Sequence, residues 1–136
     1  MKRILIIVLT ILLLLGITTC VFGCTKEVEI DEKSVIIRVD ISKVGDNATL
    51  KDYMDYLERE EKLSYELSDD GMVTSINGKS GQSNEYWLLY TSDSQNSNTS
   101  WGNCNYAGKI YGSAIAGVET LIVKDGELYI WILQAF

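Results

Sequence analysis

The sequence predicts an α+β domain in which one amphipathic helix packs on a mixed or antiparallel sheet of about four to six strands. Three observations carry this: one segment with helical apolar spacing, several short segments with strand alternation, and a mature length that suits a single modest core. A charged and apolar leader, residues 1–23, is set aside first, because Lys2 and Arg3 precede an unbroken apolar run from Ile4 to Leu15.

The leader ends in Gly23-Cys24, and a small residue directly before a cysteine is the mark of a lipoprotein signal, with Cys24 as the lipidated residue. Cys20 follows Thr19 and is the poorer acceptor. The alternative is an uncleaved membrane anchor, since Ile4 to Gly23 comes to about the ~20 residues that span a bilayer. Either way the remainder lies on the extracytoplasmic face of a membrane, and the lipoprotein form points to a bacterial cell.

Residues 24–33, with the charged stretch TKEVEIDEK, read as a tether, and the domain proper as 34–136. The first strand runs from Ser34 to Ile41, with Val35, Ile37, Val39 and Ile41 on one face and Arg38 and Asp40 on a wet one. Thr49 followed three residues on by Asp52 opens a helix with a capping box. Leu50, Tyr53, Met54 and Leu57 then recur at i, i+3, i+4 and i+7 and mark its buried stripe.

Short strands are expected at Leu63–Leu67 and Met72–Ile76, the second turning at Asn77-Gly78, where both residues tolerate φ > 0. Glu85–Thr91 is a strand with Tyr86, Leu88 and Tyr90 on one face and Trp87 and Leu89 on the other. The last strand, Leu128–Leu133, is apolar on both sides and therefore central or doubly covered. Ser92 to Gly108 is too polar for a core and too long for an idle turn, and reads as a long loop.

Composition excludes several functions. Removing Lys2 and Arg3 leaves 10 basic against 19 acidic side chains, so the formal charge moves from −7 to −9 and nucleic acid is not an expected partner. The chain has no histidine, the commonest general base and metal ligand, and no paired catalytic carboxylates or nucleophile motif. No enzyme, metal or cofactor is therefore expected. Cys104 has no intrachain partner once Cys20 and Cys24 are assigned, and the Glu66, Asp69 and Asp70 cluster lacks the spacing of a calcium loop.

The segments GMVTSING, EYWLLYTSD and VKDGELYIWIL, taken in this order after a TLKDYMDYL helix, resemble the C-terminal-like domain of transcobalamin, a soluble-ligand-binding β-grasp module. The resemblance spans about residues 34 to 136 and rests on the Val73–Gly78 turn, the Tyr86-Trp87 pair and the Asp125-Gly126 turn. It implies a β-grasp fold and, in vitamin B12 carriers, contact with the corrinoid from one side. The carriers add a large helical domain that supplies the other half of the site, and these 136 residues leave no room for one.

The candidate ligand-binding residues are Trp87, Tyr86, Asn77, Ser75, Trp101 and Tyr106. Alternation forbids Tyr86 and Trp87 from sharing one face, so one ring belongs to the helix-side core and the other is free to stack a ligand; Trp87 is the better match to the family pattern. Asn77 and Ser75 are candidate hydrogen-bonders, although an asparagine before glycine is also simply a turn residue. Trp101 and Tyr106 either fold back over the sheet or await a partner. The expected function is capture of a small soluble ligand, a cobalamin-like corrinoid first, for a membrane transporter component. The rival expectation is a surface module that docks a protein or cell-wall polymer.

Overall fold

The structure, a computed structural model, describes residues 25–136, so the leader and Cys24 lie outside the described residues. Those residues form nine strands and one α-helix: β1 (Val28–Asp31), β2 (Ser34–Arg38), α1 (Leu50–Arg59), β3 (Tyr65–Leu67), β4 (Val73–Ile76), β5 (Lys79–Ser80), β6 (Glu85–Thr91), β7 (Ser97–Tyr106), β8 (Lys109–Ala114) and β9 (Leu128–Ala135). Six strands make one sheet in the order β1-β2-β9-β6-β8-β7, and β3-β4-β5 make a second. Every pairing is antiparallel. The α+β class and the single amphipathic helix agree with the sequence; the second sheet is additional. No helix among the described residues is long and apolar enough to cross a membrane.

Thr49 and Asp52 form the capping box: the Thr49 hydroxyl accepts the Asp52 N–H at 3.2 Å and the Asp52 carboxylate accepts the Thr49 N–H at 2.8 Å. Two otherwise orphaned amides are thereby satisfied, which starts α1 at Leu50. Its stripe of Leu50, Tyr53, Met54 and Leu57 is wholly buried. The stripe packs on Val35 and Ile37 of β2, Val39 just beyond it, Trp87 of β6, and Tyr129, Trp131 and Leu133 of β9 to make the main core. The Trp131 indole N–H is buried there without a hydrogen-bond partner.

The tether expected at 24–33 is instead partly structural. Val28 to Asp31 pair with Ile37 to Ser34 as the edge strand of the large sheet. Glu27 is held from two sides, by the Tyr53 hydroxyl at 2.6 Å and by Lys62 Nζ at 2.6 Å. Val28 packs on the main core while Glu29 and Asp31 face away, a period-2 pattern too short to stand out within a charged run.

The face of the sheet away from α1 is covered as well. Because β8 pairs with β6 only at Tyr90↔Ser113 and Thr91↔Gly112, the rest of the β7–β8 hairpin leaves the sheet and crosses it. Cys104, Tyr106 and Tyr111 of this hairpin close a smaller core over Ile36, Tyr90, Leu128 and Ile130. Tyr106 reaches the far edge, where its hydroxyl donates to Glu29 Oε2 of β1 at 2.8 Å. Two expectations are corrected here: Ser92 to Gly108 is mostly a strand rather than a loop, and β2 has no wet side, since Ile36 is buried.

The short link into β7 is locked by Asp93, which is buried and accepts from Lys124 Nζ at 2.9 Å, Asn96 Nδ2 at 2.6 Å and the Gln95 N–H at 3.1 Å. A buried carboxylate needs such partners, and here they fix both the turn after Thr91 and the chain before β9.

Candidate functional site

The residues singled out around Tyr86 and Trp87 meet where the small sheet abuts β6. Asn77 (φ 51°) and Gly78 (φ 75°) turn β4 into β5. The left-handed pair matches the twist of a two-residue hairpin, which is why Asn-Gly stands there. The Asn77 side-chain carbonyl accepts the Ser64 N–H at 2.9 Å, and its own N–H donates to Ser64 O at 2.8 Å. Its carbonyl acceptor is therefore engaged in clamping the turn onto the chain that precedes β3.

Trp87 faces the helix side and is buried; its indole N–H donates to the Lys79 carbonyl at 2.8 Å and staples β5 to β6. Trp87, the better match to the family pattern, is therefore the core ring of the pair. Tyr86, its neighbour in the strand, lies on the other face and is 48% exposed. Ser75 is buried within β4, paired with Glu66 and Ser80, and lines neither of the two clefts beside Tyr86 and Trp87.

An open cleft of about 450 Å³ lies between the small sheet and the start of β6, with Met72, Val73, Thr74, Ser80, Gly81 and Tyr86 on its walls. Met72 is 55% exposed and was not singled out from the sequence. It ends the turn before β4 and its exposure depends on where β6 runs, which no local pattern encodes. A smaller cleft of about 200 Å³ adjoins Trp87, Asn77 and Lys79. Both are concave surfaces in which apolar and aromatic side chains, Met72, Val73, Tyr86 and Trp87 in the larger and Ile30, Val35, Ile76 and Trp87 in the smaller, stand beside charged ones, Asp70 and Glu85 in the larger and Asp31, Glu32 and Lys79 in the smaller.

Tyr106 and Trp101 do not join this site. Tyr106 lines a separate open cleft of about 810 Å³ with Lys26, Glu29, Asp31, Ser34 and Ile36, built largely from the segment read as a tether. The hydrogen bond to Glu29, together with burial, pushes the Tyr106 hydroxyl above the ordinary tyrosine range, so it stays a neutral donor. Trp101 projects from β7 at 63% exposure. Among the described residues no group of three His, Cys, Asp or Glu side chains is placed to hold a metal ion. Cys104 is buried, and burial raises its thiol above the usual range.

Comparison of the chain with protein-family models, with curated proteins and with solved structures finds no match in any of the three.

Proposed function

We propose that the chain is a membrane-anchored extracytoplasmic binding lipoprotein without catalytic activity. Cys24 carries the lipid, and the cleft at Tyr86 and Met72 receives one edge of a soluble ligand. The observation that carries this reading is the exposed Tyr86 ring beside a cleft that Met72 and Val73 also line, in a strand whose next residue, Trp87, is fixed in the core. A rigid strand presenting an aromatic ring loses little entropy on binding. The arrangement of one helix across a sheet supports a β-grasp-like domain, and the Asn77-Gly78 hairpin beside Tyr86-Trp87 is where the resemblance to transcobalamin C-terminal-like domains is strongest.

A cleft of about 450 Å³ is at the lower end of the ~300–1,000 Å³ of ligand pockets, so it takes a side group or one edge of a larger molecule. A cobalamin-like corrinoid touched from one side is the first candidate, with a membrane transporter component as the recipient. Calorimetric titration of the full chain in detergent micelles with cobalamin and with cobinamide tests this. Binding weakened at least tenfold by Tyr86→Ala and by Met72→Ala supports the site; absence of heat with both corrinoids overturns the corrinoid assignment. Cys24→Ser is expected to move the protein from the membrane to the soluble fraction, and retention of that variant would overturn the lipid anchor.

A further inference from the structure

We propose that the outward face of the β7–β8 hairpin is a binding platform for a neutral glycan, with Trp101 as the stacking ring and Asn103 and Asn105 as its hydrogen-bonding carboxamides. The surface is independent of the Tyr86 cleft.

Strand alternation defines this face. A side chain at Gly102 would meet Ser113 and Tyr90, Cys104 is buried, and Tyr106 reaches inward to Glu29. Positions 101, 103 and 105 therefore point away from the sheet, and all three residues are exposed. Asn103 and Asn105, successive outward positions of the paired strand, lie about 6.6 Å apart, and Trp101 stands at the end of the bulge two residues before Asn103, so the three residues are on the scale of a short run of sugar rings.

The platform is held in place from below. Four residues, Thr99 to Gly102, bulge between the Asn98↔Ser113 and Asn103↔Gly112 pairs. Gly112 makes room for them: a side chain there would come within 2.9 Å of the Thr99 nitrogen. Gly102 adopts φ +150°, open to glycine at little cost. Trp101 thus stands out from a bulge fixed at both ends rather than from a loose loop, although a ring of that size in water is a solubility cost that a domain without a partner avoids.

Charge selects the partner. From Ser94 to Val118 the sequence holds a single charged side chain, Lys109, whereas the rest of the mature chain carries 9 basic and 19 acidic groups. A polyanion finds one cation here, in a mature chain of net charge −9, so nucleic acid and anionic polysaccharide are disfavoured. A neutral pyranose polymer needs what is present: a flat π face for its C–H surfaces, and carboxamides that both donate to and accept from hydroxyl groups. Protein partners are usually met with Arg and several clustered aromatics; this face has Trp101 as its one aromatic, the exposed Ile110 opposite Asn105, and no arginine.

Native affinity electrophoresis of the full chain in nonionic detergent tests the assignment, with gels containing hydroxyethyl cellulose, glycol chitin, dextran or mannan, and polygalacturonate as the anionic control. Retardation is expected in at least one neutral gel and not in polygalacturonate. Trp101→Ala should raise the apparent Kd at least tenfold, with near-ultraviolet circular dichroism reporting on the fold. Asn105→Asp, which adds a charge without removing the ring, should weaken retardation severalfold. Tyr86→Ala should leave it unchanged, which separates this surface from the corrinoid cleft. Unaltered mobility in every neutral gel, retardation that survives Trp101→Ala, or Trp101-dependent self-association in sedimentation would each overturn the proposal.

Discussion

Truncating Trp87 and truncating Tyr86 should have opposite signatures, although the two residues are adjacent in one strand. Trp87 is 7% exposed, packs in the main core and donates its indole N–H to Lys79 O at 2.8 Å. A large aromatic buries about 150–250 Å², worth about 4–6 kcal/mol at ~25 cal/mol per Å², and core truncations of this kind cost about 3–5 kcal/mol. Lys79 is exposed and lines the small cleft with Trp87, so water can reach its carbonyl once the donor is lost, and the hydrogen bond adds at most about 1 kcal/mol. Trp87→Ala is therefore expected to remove about 4 kcal/mol from a domain whose total stability is of order 5–15 kcal/mol. Tyr86, 48% exposed, should cost about 1 kcal/mol as alanine while weakening ligand capture. Urea unfolding followed by far-ultraviolet circular dichroism measures both, with unchanged m-values as the check on two-state behaviour. Equal losses for the two variants, or a larger loss for Tyr86→Ala, would mean that β6 sits one residue out of the register described, with its faces exchanged.

Three further outcomes follow from single residues. Asp93→Ala should cost about 2–4 kcal/mol in the same urea experiment, since three hydrogen bonds to a buried carboxylate are lost, tempered because Lys124 is partly exposed and can return to water. Burial alone would raise the Asp93 carboxyl, but the hydrogen bonds from Lys124, Asn96 and the Gln95 N–H outweigh it and hold it below the ordinary range. Its stabilisation is thus complete above the unfolded value of about 3.9 and fades as pH falls through the lower folded value, so the wild type should lose stability on acidification below about pH 4 more steeply than Asp93→Ala. Cys104, buried with its thiol pushed up by desolvation, should react with iodoacetamide at pH 7.5 at least tenfold more slowly in the native than in the urea-unfolded chain; equal rates would show the hairpin to be open. Thr49→Ala should cost about 1 kcal/mol by removing half of the capping box, and a loss under about 0.3 kcal/mol would show that the box does not set the helix start.

The helix was legible because everything that makes it lies within eleven residues. Its cap, Thr49 with Asp52, and its stripe, Leu50, Tyr53, Met54 and Leu57, are local periodic features that the sheet merely accepts. The same holds for β6, whose bounds at Glu85 and Thr91 follow from alternation, for the Asn77-Gly78 turn, and for the central place of β9, announced by apolar residues on both its sides. Of the candidate site, Tyr86 was legible as one of two rings, and Asn77 as a residue of the turn beside them.

The β7–β8 hairpin was not legible, for a physical reason. Its inward positions are Gly102, Cys104 and Tyr106 and its outward ones are Trp101, Asn103 and Asn105, so the alternation is confined to the four residues Asn103 to Tyr106 and does not stand out from the polar run before them. It becomes a strand because β8 and the uncovered face of the sheet offer it partners. In the same way β1 exists because β2 presents a free edge, and Glu27 stays put because Tyr53 and Lys62 hold it.

By itself the sequence determined an α+β chain with one capped amphipathic helix, a central apolar strand, a turn at Asn77-Gly78 and two rings on opposite faces at Tyr86 and Trp87. Only the tertiary structure decided which ring is core. Alternation is symmetric between the two faces of a strand, and the choice falls to whichever face the helix covers and whichever backbone carbonyl, here that of Lys79, lies within reach of an indole N–H.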